Sequence, residues 1–240
     1  MSNFQNNNVE QDEPIENADT NGDTNENIKE LGVVNSVGEF KSDILCLPII
    51  GIIEGHTFGS PNEKTTKYEH IIPQLTSVEQ NDDIKGLLII LNTVGGDVEA
   101  GLAIAELIAT LSKPTVSLVL GGGHSIGIPL ATAANYSFIA ESATMILHPI
   151  RMTGMIIGAE PTYEYFRRMQ DRIIDFIIRT SNADRDNILR LMNCTDNMSN
   201  DVGTVLFSKD AVKAGLMHEI GGLNKSLAKL YEMINERNKK

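Results

Sequence analysis

Three short segments of the sequence carry residue types that could together perform acyl-transfer chemistry. Gly123–Gly127 (GHSIG) places Ser125 on a tight turn between a predicted strand and a predicted helix, where its hydroxyl is a candidate nucleophile. His148 follows the apolar run Met145–Leu147 and is a candidate base, because histidine side chains exchange protons near neutral pH. Asn92–Asp97 (NTVGGD) holds two adjacent glycines, whose bare N–H groups at the start of a helix could stabilise an oxyanion.

Each segment also has an ordinary structural interpretation, which the residues by themselves leave open. Gly95 and Gly96 fit a simple turn before a capped helix. Ser125 is a typical N-cap residue, with a side-chain oxygen that can accept from the first helical amides. His148 fits a hydrogen-bonded structural histidine. His124 adjoins Ser125 but is the poorer candidate base, because neighbouring side chains at a sharp turn normally diverge.

Charge and motif content exclude several classes of protein. The 240 residues carry a net charge of −12 with a pI near 4.8, which argues against nucleic-acid binding because phosphates need a basic surface. Cys46 and Cys194 are far apart with no CxxC pair, and His56, His70 and His218 show no metal-ligand spacing. There is also no P-loop and no GxGxxG motif. We therefore expect no metal and no cofactor.

The hydropathy pattern predicts a protein without a membrane span. The longest apolar stretch, Ile44–Ile53, falls short of the roughly 18–20 residues that a membrane helix needs, and Pro48 and Gly51 interrupt it. The first thirty residues have neither the basic region nor the apolar core of a secretory signal. These features predict a cytoplasmic protein.

Composition divides the chain at about residue 40. Residues 1–40 are rich in asparagine and contain nine acidic residues against one base, Lys29, so that they contribute −8 to the net charge. With few apolar residues, this segment cannot bury enough surface to offset its ordering entropy. We predict a disordered acidic tail at 1–40, with a docking arm for a basic partner as the functional alternative, and one globular domain at 41–240.

From Asp43 onward, short β-branched runs alternate with helical periodicities, which predicts an α/β domain around a mainly parallel sheet. The predicted strands are Ile44–Ile53, Gly86–Asn92, Thr115–Leu120, Tyr136–Ala140 and Thr144–Leu147. The predicted helices are Thr65–Gln80, one that begins after an Asp97 cap, Ile126–Asn135, Glu160–Arg179, Asp210–Gly215 and Leu223–Ile234. Because sites in such sheets lie at strand ends, we expect the three segments to meet there.

Four motifs in succession resemble the ClpP class of serine peptidases. They are Asn92–Gly101 (NTVGGDVEAG), Gly123–Gly127 (GHSIG), Met145–Pro149 (MILHP) and Lys209–Gly222 (KDAVKAGLMHEIGG), with matching order and gaps. The resemblance runs from about Asp43 to Tyr231. It implies a ClpP/crotonase-like spiral of βα units, in which the long helix from Glu160 is a protruding handle.

The resemblance also implies roles for individual residues. Ser125 would attack the scissile carbonyl and His148 would take its proton. The oxyanion hole would consist of backbone N–H groups from Gly95 or Gly96 and from Ile126, donors whose loss costs roughly 10²–10³ in rate.

A Ser-His-Asp triad needs a third member, and at this point the sequence departs from the family pattern. Thr204 stands at the position that fits best by spacing, where an aspartate belongs. We choose Asp201, three residues earlier, with Asp196 as the next candidate. Asp201 equally fits a turn residue or a cap before the last strand.

The implied function is a serine endopeptidase that cleaves peptides or unfolded proteins within an oligomeric ring. It would need no ATP itself, and an ATPase or a component of the export machinery would be a fitting partner. Two alternatives stay open: a crotonase-type acyl-CoA enzyme, which would usually act through carboxylates, and a non-catalytic assembly or secretion-assisting factor. The short gap of 23 residues between Ser125 and His148 disfavours an α/β-hydrolase.

Overall fold

The computed structural model describes residues 42–56, 59–60, 62–151, 157–195 and 202–239. The chain divides by its internal contacts into two units, Met1–Lys41 and Ser42–Lys240. The first unit lies outside the described residues, so the disordered tail at 1–40 stays a prediction.

Within the described residues, eight strands form the central sheet, and most of its pairings are parallel. In chain order they are β1 (Ile44–Glu54), β2 (Thr65–Lys67), β3 (Gly86–Gly96), β4 (Thr115–Gly123), β5 (Tyr136–Ile139), β6 (Thr144–Leu147), β7 (Thr204–Phe207) and β8 (Glu219–Ile220). The parallel path runs β2-β1-β3-β4-β5-β8, with β6 beside the end of β4 and β7 antiparallel to β6. The predicted mainly parallel α/β fold is confirmed.

Seven helices accompany these strands in the described part of the chain. They are α1 (Tyr68–Gln80), α2 (Val98–Thr110), α3 (Gly127–Thr132), α4 (Ala159–Thr180), α5 (Arg185–Met192), α6 (Ser208–Lys213) and α7 (Leu223–Arg237). The predicted cap of α2 is confirmed, because the Asp97 side chain accepts a hydrogen bond of 2.8 Å from the Ala100 amide. No helix among the described residues is long and apolar enough to cross a membrane.

The core lies on both faces of the sheet, because successive side chains of a strand point to opposite faces. In β3, Leu87, Ile89 and Leu91 belong to the large cluster that packs under helices α1 to α6. Leu88 belongs to a smaller cluster on the other face, which α7 covers with its apolar side chains. Burial on both faces explains why the strand reads as a continuous apolar run.

The strands that lead to the predicted site extend further than the sequence indicated. β3 continues through Gly96 and β4 through Gly123, so both glycine-rich motifs begin as strand and end as turn. The start of the predicted helix at Thr65 is wrong. Residues Thr65–Lys67 pair with β1 as a short strand, and the helix begins at Tyr68.

The long helix α4 is buried only in its second half. Its buried side chains are Ile173, Ile174, Phe176 and Ile177, whereas Tyr163 is 67% exposed and Tyr165 56% exposed in the first half. The first half therefore contributes no side chain to the core, as expected of a handle.

Candidate active site

Ser125 occupies a constrained turn between β4 and α3. Its φ of +55° makes it the single non-glycine residue with positive φ in the described part of the chain. The amide donates to the Ile146 carbonyl at 2.8 Å, and the carbonyl accepts from Ile128 at 2.9 Å. No side chain caps α3, so the N-cap interpretation of Ser125 is wrong. A non-glycine residue in this left-handed backbone conformation costs roughly 1–2 kcal/mol, and strain of this kind clusters at functional sites.

Gly95 brings bare backbone against Ser125. A Cβ on Gly95 would lie 2.7 Å from the Ser125 Cβ and 3.3 Å from its Oγ, and Gly95 has a φ of +94°. Only glycine satisfies both the approach and the dihedral angle. The Gly95 amide already donates to Thr93 Oγ1 at 3.0 Å, and that hydroxyl donates to the Gly51 carbonyl at 2.6 Å. This Thr93 link was not predicted from the sequence, although a threonine two residues before the first glycine of a Gly-Gly turn indicates such a bond.

The other two predicted donors, Gly96 and Ile126, lie at the edge of the same cavity as Ser125. The Ile126 amide has no acceptor among the described residues, whereas the Ser125 and Gly127 amides on either side are bonded. An unbonded N–H directly after the nucleophile is the donor that an oxyanion hole requires.

His148 follows β6 and faces the same cavity. Its Nδ1 lies 2.6 Å from the Pro149 carbonyl oxygen. Because a carbonyl only accepts, Nδ1 carries a proton, so that the neutral form of the ring is the tautomer with its lone pair on Nε2, which a general base needs. Within the described residues, no hydrogen bond joins the imidazole to the Ser125 hydroxyl.

The cavity beside Ser125 and His148 has a volume of about 150 Å³. Most of its lining is apolar and comes from α2, β6, the segment after His148, α4 and α5, including Val98, Leu147, Ile150, Ile173, Ile177 and Met192. No carboxylate lines it among the described residues. The sequence reasoning did not identify this lining, since it assembles from elements far apart in the chain.

The structure describes only one of the three candidates for the third triad member, Thr204. Thr204, in β7, donates its hydroxyl to the Leu191 carbonyl at 2.7 Å, so it does not orient the imidazole. Gly203 packs against His148, since a Cβ there would lie 2.8 Å from the His148 Cβ. Asp201 and Asp196 lie outside the described residues. Asp201 is two residues from Gly203, a distance of at most about 7 Å between Cα atoms.

His124 and His218 have side-chain hydrogen-bond partners outside the cavity. His124 Nε2 lies 3.0 Å from Thr144 Oγ1, and burial, together with the nearby His148, lowers the pKa of His124. His218 Nδ1 accepts from the Ser137 hydroxyl at 2.7 Å. Among the described residues, no three His, Cys, Asp or Glu side chains come together as metal ligands would.

Comparison with known proteins identifies the family of this chain. The Clp protease family model matches residues 53–223. The chain is 55% identical over 212 residues to the translocation-enhancing protein TepA of Halalkalibacterium halodurans, covering 88% of this chain and 83% of that protein. It is 28% identical over 150 residues to ATP-dependent Clp protease proteolytic subunit 1 of Chlamydia pneumoniae, covering 57% of this chain and 78% of the subunit. On the extent of the family match, the chain belongs to the Clp protease family.

Proposed function

We propose that this protein is a serine endopeptidase in which Ser125 is the nucleophile and His148 the general base. Membership of the Clp protease family supports a peptidase. One observation carries the residue assignment: Ser125 and His148 line the same cavity. Ser125 has a backbone φ of +55° and its side chain does not cap a helix, and His148 has its Nδ1 bonded to a carbonyl oxygen.

The proposed reaction proceeds through an acyl-enzyme. Ser125 Oγ attacks the scissile carbonyl carbon while His148 Nε2 takes the hydroxyl proton and then gives it to the leaving amine. The amides of Ile126 and Gly96 stabilise the oxyanion; Gly95 shapes the turn, because its own amide donates to Thr93. Water, activated by His148, then releases the acyl group. Asp201 is the proposed carboxylate that orients the imidazole, and to do so it would replace the Pro149 carbonyl as the acceptor of the His148 Nδ1 proton.

The substrate would be a peptide or an unfolded protein in extended form. Extended peptides pair with strand edges through their main chain, which leaves recognition to the side chains beside the scissile bond. The lining of the cavity, which is mostly aliphatic and also includes Arg151, supports a medium-sized side chain with an apolar stem on the residue whose carbonyl is attacked.

The proposal extends to the assembly and the setting of the enzyme. An oligomeric ring would enclose the active sites, and the exposed first half of α4, with its aromatic side chains, would serve as the handle. An ATPase or a component of the export machinery is the proposed partner, and the cytoplasm the proposed compartment. Residues 41–240 would form the peptidase domain and residues 1–40 a disordered tail.

Covalent labelling by a fluorophosphonate tests the proposal. The wild type should be labelled on Ser125, Ser125→Ala should not be labelled, and His148→Ala should react roughly 10²–10⁴ times more slowly. Ser112→Ala, at an exposed serine, is the matched control and should react as the wild type does. A folded wild-type protein that never becomes labelled would contradict the assignment.

A second function has one specific observation in its favour, the similarity to a protein named for enhancing translocation. The chain could assist export without cleaving a bond. In a cell that lacks the wild-type gene, Ser125→Ala should then restore export fully, whereas the peptidase proposal expects no restoration.

A further inference from the structure

The proposed reaction gives no task to the side chain of His124, which directly precedes Ser125 in the GHSIG motif. Its imidazole does not line the cavity. The ring turns back instead over Gly122, where a Cβ would lie 3.1 Å from His124 Cε1. From there it reaches the Thr144 hydroxyl, at 3.0 Å from Nε2.

The main chain of His124 joins the other parts of the site. Its amide donates to the Thr93 carbonyl at 3.2 Å, which connects it to the turn that carries Gly95 and Gly96. Its carbonyl accepts from the Gly127 amide at 2.8 Å, which closes the turn around Ser125. The backbone of one residue thus links the nucleophile to the oxyanion turn.

The side chain supplies the link to the base. β6 begins at Thr144 and ends one residue before His148. In the described chain β6 pairs with β4 at a single point, Gly122 with Thr144, and the Ser125 amide bonds to Ile146 further along. The bond from His124 to Thr144 is therefore one of the hydrogen bonds that join β6 to the turn around the serine.

We propose that His124 is a positioning residue, which sets the placement of His148 relative to Ser125 through its hydrogen bond to Thr144. This inference rests on the proposed peptidase function. Since misplacing reacting groups by about 1 Å can cost roughly 10²-fold in rate, loss of the bond should slow the chemical step without weakening binding.

The ionisation of His124 is compatible with this role. Burial and the neighbouring His148 both lower its pKa. At neutral pH the ring is therefore uncharged, and its bond to the hydroxyl joins two neutral groups. His124 therefore places no positive charge near His148 when His148 accepts the proton from Ser125.

The test measures how fast a fluorophosphonate labels Ser125 in the full-length protein, as a maximal rate and a half-saturating concentration. His124→Ala and Thr144→Val should each lower the maximal rate about 10- to 100-fold and leave the half-saturating concentration unchanged. His124→Gln and Thr144→Ser should recover most of the rate, because both keep a group that can form the bond. The double variant His124→Ala/Thr144→Val should be no slower than either single variant.

His218→Ala is the matched control, because it removes another half-buried imidazole that bonds a hydroxyl, that of Ser137. Its rate per folded molecule should equal that of the wild type. A wild-type rate in Thr144→Val, equal losses in His124→Ala and His124→Gln, or additive losses in the double variant would each overturn the proposal. Thr144→Val decides the matter even where His124→Ala does not fold. A wild type that is never labelled would instead remove the peptidase function and this inference with it.

Discussion

Ser125 stores backbone strain at the point where the chemistry is proposed. An L-residue in the left-handed region costs roughly 1–2 kcal/mol, and the Gly95 backbone leaves the Ser125 side chain little room to relax. Two variants that both lack the hydroxyl separate this strain from function. Ser125→Gly should raise the free energy of unfolding by about 1 kcal/mol over Ser125→Ala, because only alanine keeps a Cβ at φ +55°. Denaturant titration of the two variants measures the difference, and an equal or lower stability of the glycine variant would contradict the strain.

At the level of single residues, the sequence predicted the parts of the site that short contiguous strings determine. Ser125, Gly95 and His148 each sit in a strand-to-turn motif whose local geometry follows from the residues themselves. The third triad member was not predictable in the same way. Its location depends on how the chain returns to His148 about fifty residues later, and the register of β7 against β6 turns Thr204 toward Leu191.

The seam between α2 and α4 carries two equivalent ion pairs. Arg172 bonds both oxygens of Glu99, at 2.7 and 3.2 Å, and Arg179 bonds both oxygens of Glu106, at 2.7 and 2.8 Å. The pairs are seven residues apart on both helices, and all four side chains are about half exposed. Exposed pairs of this kind each contribute up to about 1 kcal/mol.

The two pairs differ in their distance from the site, which gives a matched comparison. Glu99 stands in the first turn of α2, directly after the Gly95-Gly96 turn, whereas Glu106 is two turns further on. Arg172→Ala and Arg179→Ala should each lower the free energy of unfolding by up to about 1 kcal/mol through loss of the ion pair. Arg179→Ala should lower it somewhat further, because the Arg179 guanidinium also lies over the Phe176 ring, 4.9 Å from its centroid. Only Arg172→Ala should also slow the labelling of Ser125, by about 2- to 5-fold. Equal labelling rates would show that the start of α2 is held independently of α4.

Among the elements, sequence periodicity predicted those that are long or continuously apolar. β1, β3, β4, α2 and α4 agree within a few residues of the expected bounds. The short elements β2, β8 and α5 were missed, because tertiary contacts rather than local pattern stabilise them. For α5 a signal existed: Asp184 caps the helix through the Asn187 amide at 2.9 Å, and Ile188, Leu191 and Met192 have helical spacing.

The free energy of unfolding should decrease as the pH is lowered from neutral, at pH values still too high to protonate the carboxylates. Burial lowers the pKa of both His124 and His218 below the usual 6.5. Below that pH these two histidines bind more protons in the unfolded chain than in the folded chain, so the stability present above pH 6.5 is lost as the pH falls. Salt-bridged carboxylates with lowered pKa, such as Glu99, contribute in the same direction only near pH 4.5 and below.

Thermal unfolding measured between pH 7.5 and pH 5.5 separates the effect of histidine protonation from that of carboxylate protonation. The midpoint temperature should drop over this interval in the wild type, and it should drop less in His218→Gln, which has no imidazole to protonate at that position. Ser137 donates to His218 Nδ1 from both its amide and its hydroxyl, so protonation of that nitrogen would disrupt two bonds. A midpoint that rises toward pH 5.5, or an unchanged slope in the variant, would contradict this account.

The acidic segment at residues 1–40 should contribute to the solubility of the protein and not to the stability of its domain. Residues 1–40 contribute −8 of the net charge of −12, and their composition offers little apolar surface to pack against a domain. A variant that begins at Lys41 should therefore keep the thermal midpoint and the labelling rate of the full chain, while becoming less soluble near neutral pH because its net charge is smaller. A full-length variant with the nine acids changed to asparagine or glutamine separates charge from length, and should lose solubility in the same way. If truncation lowered the midpoint while neutralisation did not, the segment would pack on the domain through its apolar residues, and the boundary at 40 would be wrong.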